Sequence, residues 1–291
     1  MQKFIGTGVA LVTPFRDDLT VDVVALTKLV NFNIENGTNY LVINGTTGES
    51  GTITEDEKLL IIDVIVKANN KRVPLVLGVG GNNTLSVVNE LKTRDLSEID
   101  GILSVAPYYS KPTQEGFYQH YKAIAEATDK PIILYNVPGR TAKNMEPSTT
   151  IRLANDFSNI VAVKEAGNNQ QQYNTLLKNK PANFLIISGD DDLALGVALA
   201  GGSGVISVIG QAFPREFSTM INHGLEGNNK EGYAIHFKMM DIIDYIFEEN
   251  NPAGIKTVLQ ELDICSNNVR LPLVKASTAL ETKIKKFVEN F

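Results

Sequence analysis

The stretch Asn159-Ile-Val-Ala-Val-Lys-Glu-Ala166 decides the fold. Its four apolar residues, Ile160 to Val163, read as a strand buried on both faces, the pattern of a parallel sheet. Lys164 closes that strand. A lysine at the carboxyl end of a buried strand is partly desolvated, which disfavours the ammonium, lowers the pKa and prepares the amine as a nucleophile. The alternative is a lysine that snorkels to the rim or pairs with the adjacent Glu165. What stands at the ends of the other strands decides between the two.

Runs of the same kind recur along the chain: Val9–Val12, Tyr40–Ile43, Leu75–Leu77, Gly101–Val105, Ile132–Tyr135, Phe184–Ile187 and Gly204–Val208. Between them lie helical patterns, among them Val23–Asn36, Glu55–Ala68, Thr84–Arg94 and Gln114–Ala127. Thr54-Glu-Asp-Glu57 is a capping box, and Pro147 and Pro214 stand where a first helical turn needs no amide hydrogen. Strand-then-helix units in series imply parallel strands with right-handed crossovers. Eight units, and no dinucleotide fingerprint, favour a closed (β/α)8 barrel over an open doubly wound sheet. Gly78-Val-Gly-Gly-Asn-Asn83 comes nearest to that fingerprint, but Asn83 stands where the third glycine should be, so it reads as a tight loop. From about Gly232 the periodicity is helical only, broken at Asn250-Asn-Pro252 and around Asn267 and Pro272. Residues 1–225 are expected to form the barrel and residues 226–291 a small helical appendage.

The chain has 291 residues, 43% hydrophobic and 21% charged, enough for a large core. A net charge of −6 with no basic run gives no footprint for nucleic acid. Cys265 is the single cysteine and forms no internal disulfide. No stretch approaches the roughly 20 apolar residues that cross a bilayer. A cytoplasmic location is expected. His120, His223 and His236 are scattered over helical segments without ligand spacing, so no metal is expected, and Ser-His-Asp catalysis lacks its histidine.

Catalytic groups of such barrels collect at the carboxyl ends of strands. Strand two is followed there by Asn44-Gly-Thr-Thr-Gly-Glu-Ser50, strand four by Pro107-Tyr-Tyr109, and strand five by Tyr135-Asn-Val-Pro-Gly-Arg-Thr141. Strand seven gives Ser188-Gly-Asp-Asp191, and strand eight sits in Gly201-Gly-Ser-Gly-Val-Ile-Ser207. Singly, Thr46 and Thr47 could close a turn, Tyr135 could be a core aromatic and Arg140 a surface cation. Asp190 and Asp191 read as caps of the following helix. Jointly, a lysine, a tyrosine and a threonine pair fall on the one face where this architecture performs chemistry. Imine formation needs an amine, a proton relay and a holder for a neighbouring carboxylate; the hydroxyls supply the relay, and the threonine loop and Arg140 hold carboxylates. This points to a 2-oxo acid bound as a Schiff base and to carbon–carbon chemistry through its enamine.

These motifs resemble the class I pyruvate-dependent aldolase superfamily of dihydrodipicolinate synthases and N-acetylneuraminate lyases. The resemblance runs from Gly8-Val-Ala-Leu-Val-Thr-Pro-Phe15 to Arg270-Leu-Pro-Leu273, through Gly45-Thr-Thr-Gly-Glu49, Tyr135-Asn-Val-Pro138, Val163-Lys-Glu165 and Gly204-Val-Ile-Ser207. Gly139-Arg-Thr141 and the Tyr108–Tyr109 pair are similar to the dihydrodipicolinate synthase family within it. The resemblance implies that Lys164 forms the imine with pyruvate, with no other cofactor. It implies that Tyr135, Thr46 and Tyr109 relay protons, Tyr109 from a neighbouring subunit. Thr47 would hold the pyruvate carboxylate, Arg140 that of L-aspartate 4-semialdehyde, and the backbone at Gly189 and Ile206 would line the pocket. A homotetramer built as a dimer of dimers, serving lysine (diaminopimelate) biosynthesis, is implied too.

Lysine-inhibited members bind that ligand at a dimer interface. Ser50, Asn82 and Tyr108 fit that set, but Glu55 and Lys58 stand where histidines are preferred and Ser86 where an acid is expected. Weak or absent lysine feedback is therefore expected. Three alternatives are weighed: a sugar-acid aldolase, against which Arg140 speaks; a silent barrel binding a 2-oxo acid, against which the complete lysine–hydroxyl set speaks; and an NAD-dependent oxidoreductase, which lacks its fingerprint.

Overall fold

The structure, a computed structural model, describes residues 2–291. Its eight strands close into one parallel barrel in sequence order, with the eighth paired to the first. They are β1 (Gly6–Ala10), β2 (Tyr40–Ile43), β3 (Leu75–Gly78), β4 (Gly101–Val105), β5 (Ile132–Asn136), β6 (Ile160–Glu165), β7 (Leu185–Ser188) and β8 (Gly204–Ser207). The helices between them are α1 (Val23–Glu35), α2 (Glu55–Asn69), α3 (Thr84–Thr93), α4 (Gln114–Ala125), α5 (Pro138–Thr141), α6 (Pro147–Asp156), α7 (Gln170–Asn179), α8 (Ala194–Leu199) and α9 (Pro214–Glu226). After the last unit come α10 (Asn229–Glu248), α11 (Ala253–Glu261) and α12 (Thr278–Asn290), which pack on one another and, through α10, on α8 and α9. The (β/α)8 barrel with a helical tail is the observed architecture.

Two layers of apolar side chains hold it. Inside the barrel, Tyr40, Val42, Val76, Ile133 and Ile187 are fully buried together. The second layer, between strands and helices, includes Leu41, Ile43, Leu134, Val163 and Ile186. Alternate residues feed the two layers, apart from Val161 and Ala162 of β6, which both face inward, so strands buried on both sides read as unbroken apolar runs. The local start signals hold as well. Thr54 and Glu57 form a reciprocal capping box on α2, and Pro147 and Pro214 open α6 and α9. Asn83, at the end of the glycine loop, accepts from the amides of Leu85 and Ser86 and so caps α3.

Two strands differ from expectation by more than one residue at an end. The first runs over Gly6–Ala10 rather than Val9–Val12. Glycines that look like a break belong to the strand, because the Asn39 side chain occupies the space beside Gly6 and the Tyr40 ring that beside Gly8. A Cβ on Gly8 would lie 2.2 Å from that ring. The sixth strand continues through Lys164 to Glu165, all six residues buried.

Candidate active site at the mouth of the barrel

Strands β5 and β6 pair with a change of register. Ile132 faces Ile160, but Ile133 faces Ala162, so Val161 is an extra residue on β6. Such a bulge shifts every later residue by one, and side chains alternate faces with period two. Without it Tyr135 would sit opposite the apolar Val163. With it, Tyr135 sits opposite Lys164. The Lys164 Nζ lies 4.5 Å from the Tyr135 ring centroid, and the residue is only 5% exposed. Glu165 points to the other side, where Asn136 Nδ2 donates to its carboxylate at 3.0 Å and Gln172 Nε2 at 2.8 Å. The pairing of Lys164 with Glu165 is thereby excluded, as is a snorkelling lysine.

Gly189 makes room for the amine arm. A Cβ there would come within 2.9 Å of both the Lys164 Cε and the Glu165 carbonyl oxygen. Lys164, Tyr135, Thr46, Thr47, Arg140 and Gly189 line a single cavity of about 630 Å³. Thr46 and Thr47 sit in a one-turn 3-10 helix directly after β2, which carries both hydroxyls to the mouth. Thr47 is buried, and its Oγ1 accepts from Asn251 Nδ2 at 3.0 Å. Arg140 stands on the exposed rim in α5, with Nη2 3.5 Å from Asn250 Oδ1.

The remaining expected residues lie elsewhere. Ile206 is fully buried in the barrel interior, and Val208, two residues on, lines the cavity instead. Tyr109 is 89% exposed on this chain, with a left-handed backbone (φ 68°), and lies outside the cavity wall. Ser50 and Tyr108 line a second cavity of about 230 Å³ that shares Thr46 and Tyr135 with the first; Lys58 and Glu90 line it too. Asn82 is exposed just before α3 and Ser86 within its first turn.

Asp190 and Asp191 are not helix caps. The residue before α8 is Leu193, without a side-chain cap bond. Asp191 is buried and accepts from the amides of Val208 at 3.1 Å and Ile209 at 2.9 Å, pinning the end of β8. Asp190 accepts from the Asn168 amide at 2.9 Å and the Tyr173 hydroxyl at 3.1 Å. The strand-end amides outbid the helix because Asp191 is enclosed beside them. Burial pushes the Asp190 carboxyl up to about 6, Glu165 up to about 7, and Asp191 upward as well.

The sequence reading missed the part played by the tail. Asn250-Asn-Pro252 signals only a helix break, yet Asn251 reaches Thr47. Glu49, already visible in the Thr-Thr-Gly-Glu motif, turns out to hold the buried Lys256 of α11 at 2.5 Å. Among the described residues no group of three or more His, Cys, Asp or Glu side chains is placed to hold a metal ion. None of the described helices is long and apolar enough to cross a membrane.

A parallel barrel with a buried lysine, a tyrosine and paired threonines at its carboxyl face defines a lyase of the class I aldolase type. The chain belongs to the Dihydrodipicolinate synthetase family, whose profile matches residues 3–291. It is 55% identical over 289 residues to the 4-hydroxy-tetrahydrodipicolinate synthase of Flavobacterium psychrophilum, covering 99% of each chain. The crystal structure of dihydrodipicolinate synthase from Aquifex aeolicus superposes with a TM-score of 0.95 at 38% identity, covering 99% of this chain and 98% of that one. The chloride-inhibited dihydrodipicolinate synthase of Acinetobacter baumannii, complexed with pyruvate, does so with a TM-score of 0.95 at 36% identity and 98% coverage of both chains.

Proposed function

We propose that this enzyme condenses pyruvate with L-aspartate 4-semialdehyde to 4-hydroxy-tetrahydrodipicolinate, in lysine biosynthesis. The Lys164 amine attacks the C2 carbonyl of pyruvate, and water leaves as the imine forms. Loss of a C3 proton gives the enamine, whose C3 attacks the aldehyde carbon. The amine of the second substrate then adds to C2 and displaces Lys164, closing the ring. Tyr135 and Thr46 carry protons in these steps, with Tyr109 supplied by a second copy in a homotetramer. Thr47 holds the pyruvate carboxylate beside the backbone at Gly189, and Arg140 takes the second carboxylate in bidentate fashion. Such an enzyme works in the cytoplasm.

The observation that carries this reading is the buried Lys164 amine 4.5 Å from the Tyr135 ring, in one cavity with both threonines and Arg140. The names of the relatives support the choice of substrates, and the exposed guanidinium suits a short carboxylated aldehyde better than a polyol chain. Incubation with pyruvate and borohydride is expected to leave a reduced adduct that mass spectrometry locates on Lys164. Unmodified protein, or turnover of N-acetylneuraminate or 2-keto-3-deoxygluconate in preference to the semialdehyde, would overturn the assignment.

A further inference from the structure

Glu49 ends the threonine turn in the left-handed region, at φ 57° and ψ 34°, a conformation that side chains other than glycine rarely adopt. Its amide donates to Thr46 O at 3.1 Å, and its carbonyl accepts from the Thr52 amide at 2.9 Å. The carboxylate is divided between two points of the tail: Oε1 takes Lys256 Nζ at 2.5 Å, and Oε2 takes the Arg270 amide at 2.9 Å. Neither the Lys256 nor the Glu49 side chain has any exposed surface. Lys256 also donates to Asn268 O at 2.7 Å, and its Nζ lies 4.2 Å from the Phe15 ring centroid. Burial pushes the Lys256 ammonium down, and the Glu49 carboxylate opposes that shift.

A buried ion pair contributes little net stability beside an apolar pair of the same volume, because desolvation offsets the attraction. What this one does is fix position. Lys256, itself anchored on the Asn268 carbonyl, and the Arg270 amide each hold one oxygen of the Glu49 carboxylate, and Glu49 is bonded through its backbone to the turn that carries Thr46. Asn251, three residues after α10, ties the same turn at the Thr47 hydroxyl. The threonines that line the cavity with Lys164 are thus located by the tail as well as by β2.

We propose that Glu49 and Lys256 are positioning residues for the reaction, holding the Thr46–Thr47 turn in place against Lys164, so that α11 is a working part of the site. The inference rests on the reading of Lys164 as the imine-forming amine. A displacement of reacting groups by about 1 Å lowers rates on the order of 100-fold. Two variants test it, Lys256→Met and the pair Glu49→Gln with Lys256→Met, compared with the wild type. The double variant removes both charges, so it carries the test if the single one, with a lone buried carboxylate, fails to fold. In folded protein the rate of borohydride-trapped pyruvate adduct formation on Lys164 and kcat should both fall by about that factor. KM for pyruvate should rise, while KM for the aldehyde, held at Arg140, stays unchanged. A double variant with a lowered melting temperature but wild-type adduct rate, kcat and pyruvate KM would reduce the pair to a structural role and overturn the proposal. Absence of the adduct in the wild type would instead remove the reading of Lys164 itself.

Discussion

Lys164 and Tyr135 are register partners on adjacent parallel strands, with the amine nitrogen set over the phenol ring. The ring face attracts a cation, and the proposed mechanism has its hydroxyl exchange protons, so two separate roles fall to one side chain. Tyr135→Phe separates these roles. It keeps the ring and removes the relay. The expected result is a kcat lowered by about 10²–10⁴-fold, the range for loss of a positioned acid–base group, with little change in stability. Steady-state kinetics alongside a melting curve check it; near-wild-type kcat would assign the relay to another hydroxyl.

Arg140 stands on the rim, 3.5 Å from Asn250 Oδ1 and with no closer tie from that side chain. Arg140→Ala should raise KM for the semialdehyde by roughly 10–100-fold, the loss of about 1.5–3 kcal/mol of charged hydrogen bonding. The KM for pyruvate should not change. Equal losses for both substrates would place Arg140 on the shared, pyruvate side of the cavity.

Glu165 gives the fold a pH dependence. Buried behind the site, it titrates near 7 against an ordinary value of 4.5, so between those limits the native state binds more protons than the unfolded chain. Its stabilising contribution is complete below about pH 4.5 and lost as the pH rises through about 7. Asp190, raised to about 6, acts with the same sign. Glu165→Gln keeps a polar group among Asn136 and Gln172 and cannot titrate. The melting temperature of this variant should fall less than that of the wild type between about pH 5 and pH 8. An identical slope in the two proteins would show that Glu165 is not the group responsible.

The small cavity beside the threonine turn offers a free lysine molecule a poor home. Lys58 stands on its wall with its ammonium already paired to Glu55 at 2.5 Å, and Ser86, outside that wall, is exposed where the family resemblance expects a carboxylate. A charged hydrogen bond withheld from the ligand ammonium costs about 1.5–3 kcal/mol of affinity. Millimolar lysine should therefore leave the rate essentially unchanged in a titration at subsaturating pyruvate. Strong inhibition would mean that Glu90 or a second copy supplies the missing charge.

The barrel was legible because double-sided burial leaves its mark directly on the chain, as unbroken apolar runs followed by small and hydroxylic residues. Lys164, Tyr135, Thr46, Thr47, Arg140 and Gly189 could be picked out for the same reason: each follows such a run closely. β1 was misplaced since a glycine that accommodates the Tyr40 ring looks like any other glycine. Asp190 and Asp191 were misread because an aspartate ahead of a helix usually caps it, and only distant donors, Asn168 and Tyr173 for Asp190 and the amides of Val208 and Ile209 for Asp191, reverse that preference. Asn251 and Lys256 gave no signal at all. They lie more than 200 positions from the turn they hold, and no local pattern records a contact at that separation.

The Val161 bulge has a wider consequence. Straighten it with the sequence unchanged, so that Ile133 meets Val161, and the composition, the helices and the eightfold closure could all survive, yet the ammonium would face the helical layer and an aliphatic side chain would meet the phenol. Reactivity in this barrel is a question of parity. Two folds of this one sequence, differing only in whether Val161 is bulged out of the ladder, would be one an enzyme and the other an inert container.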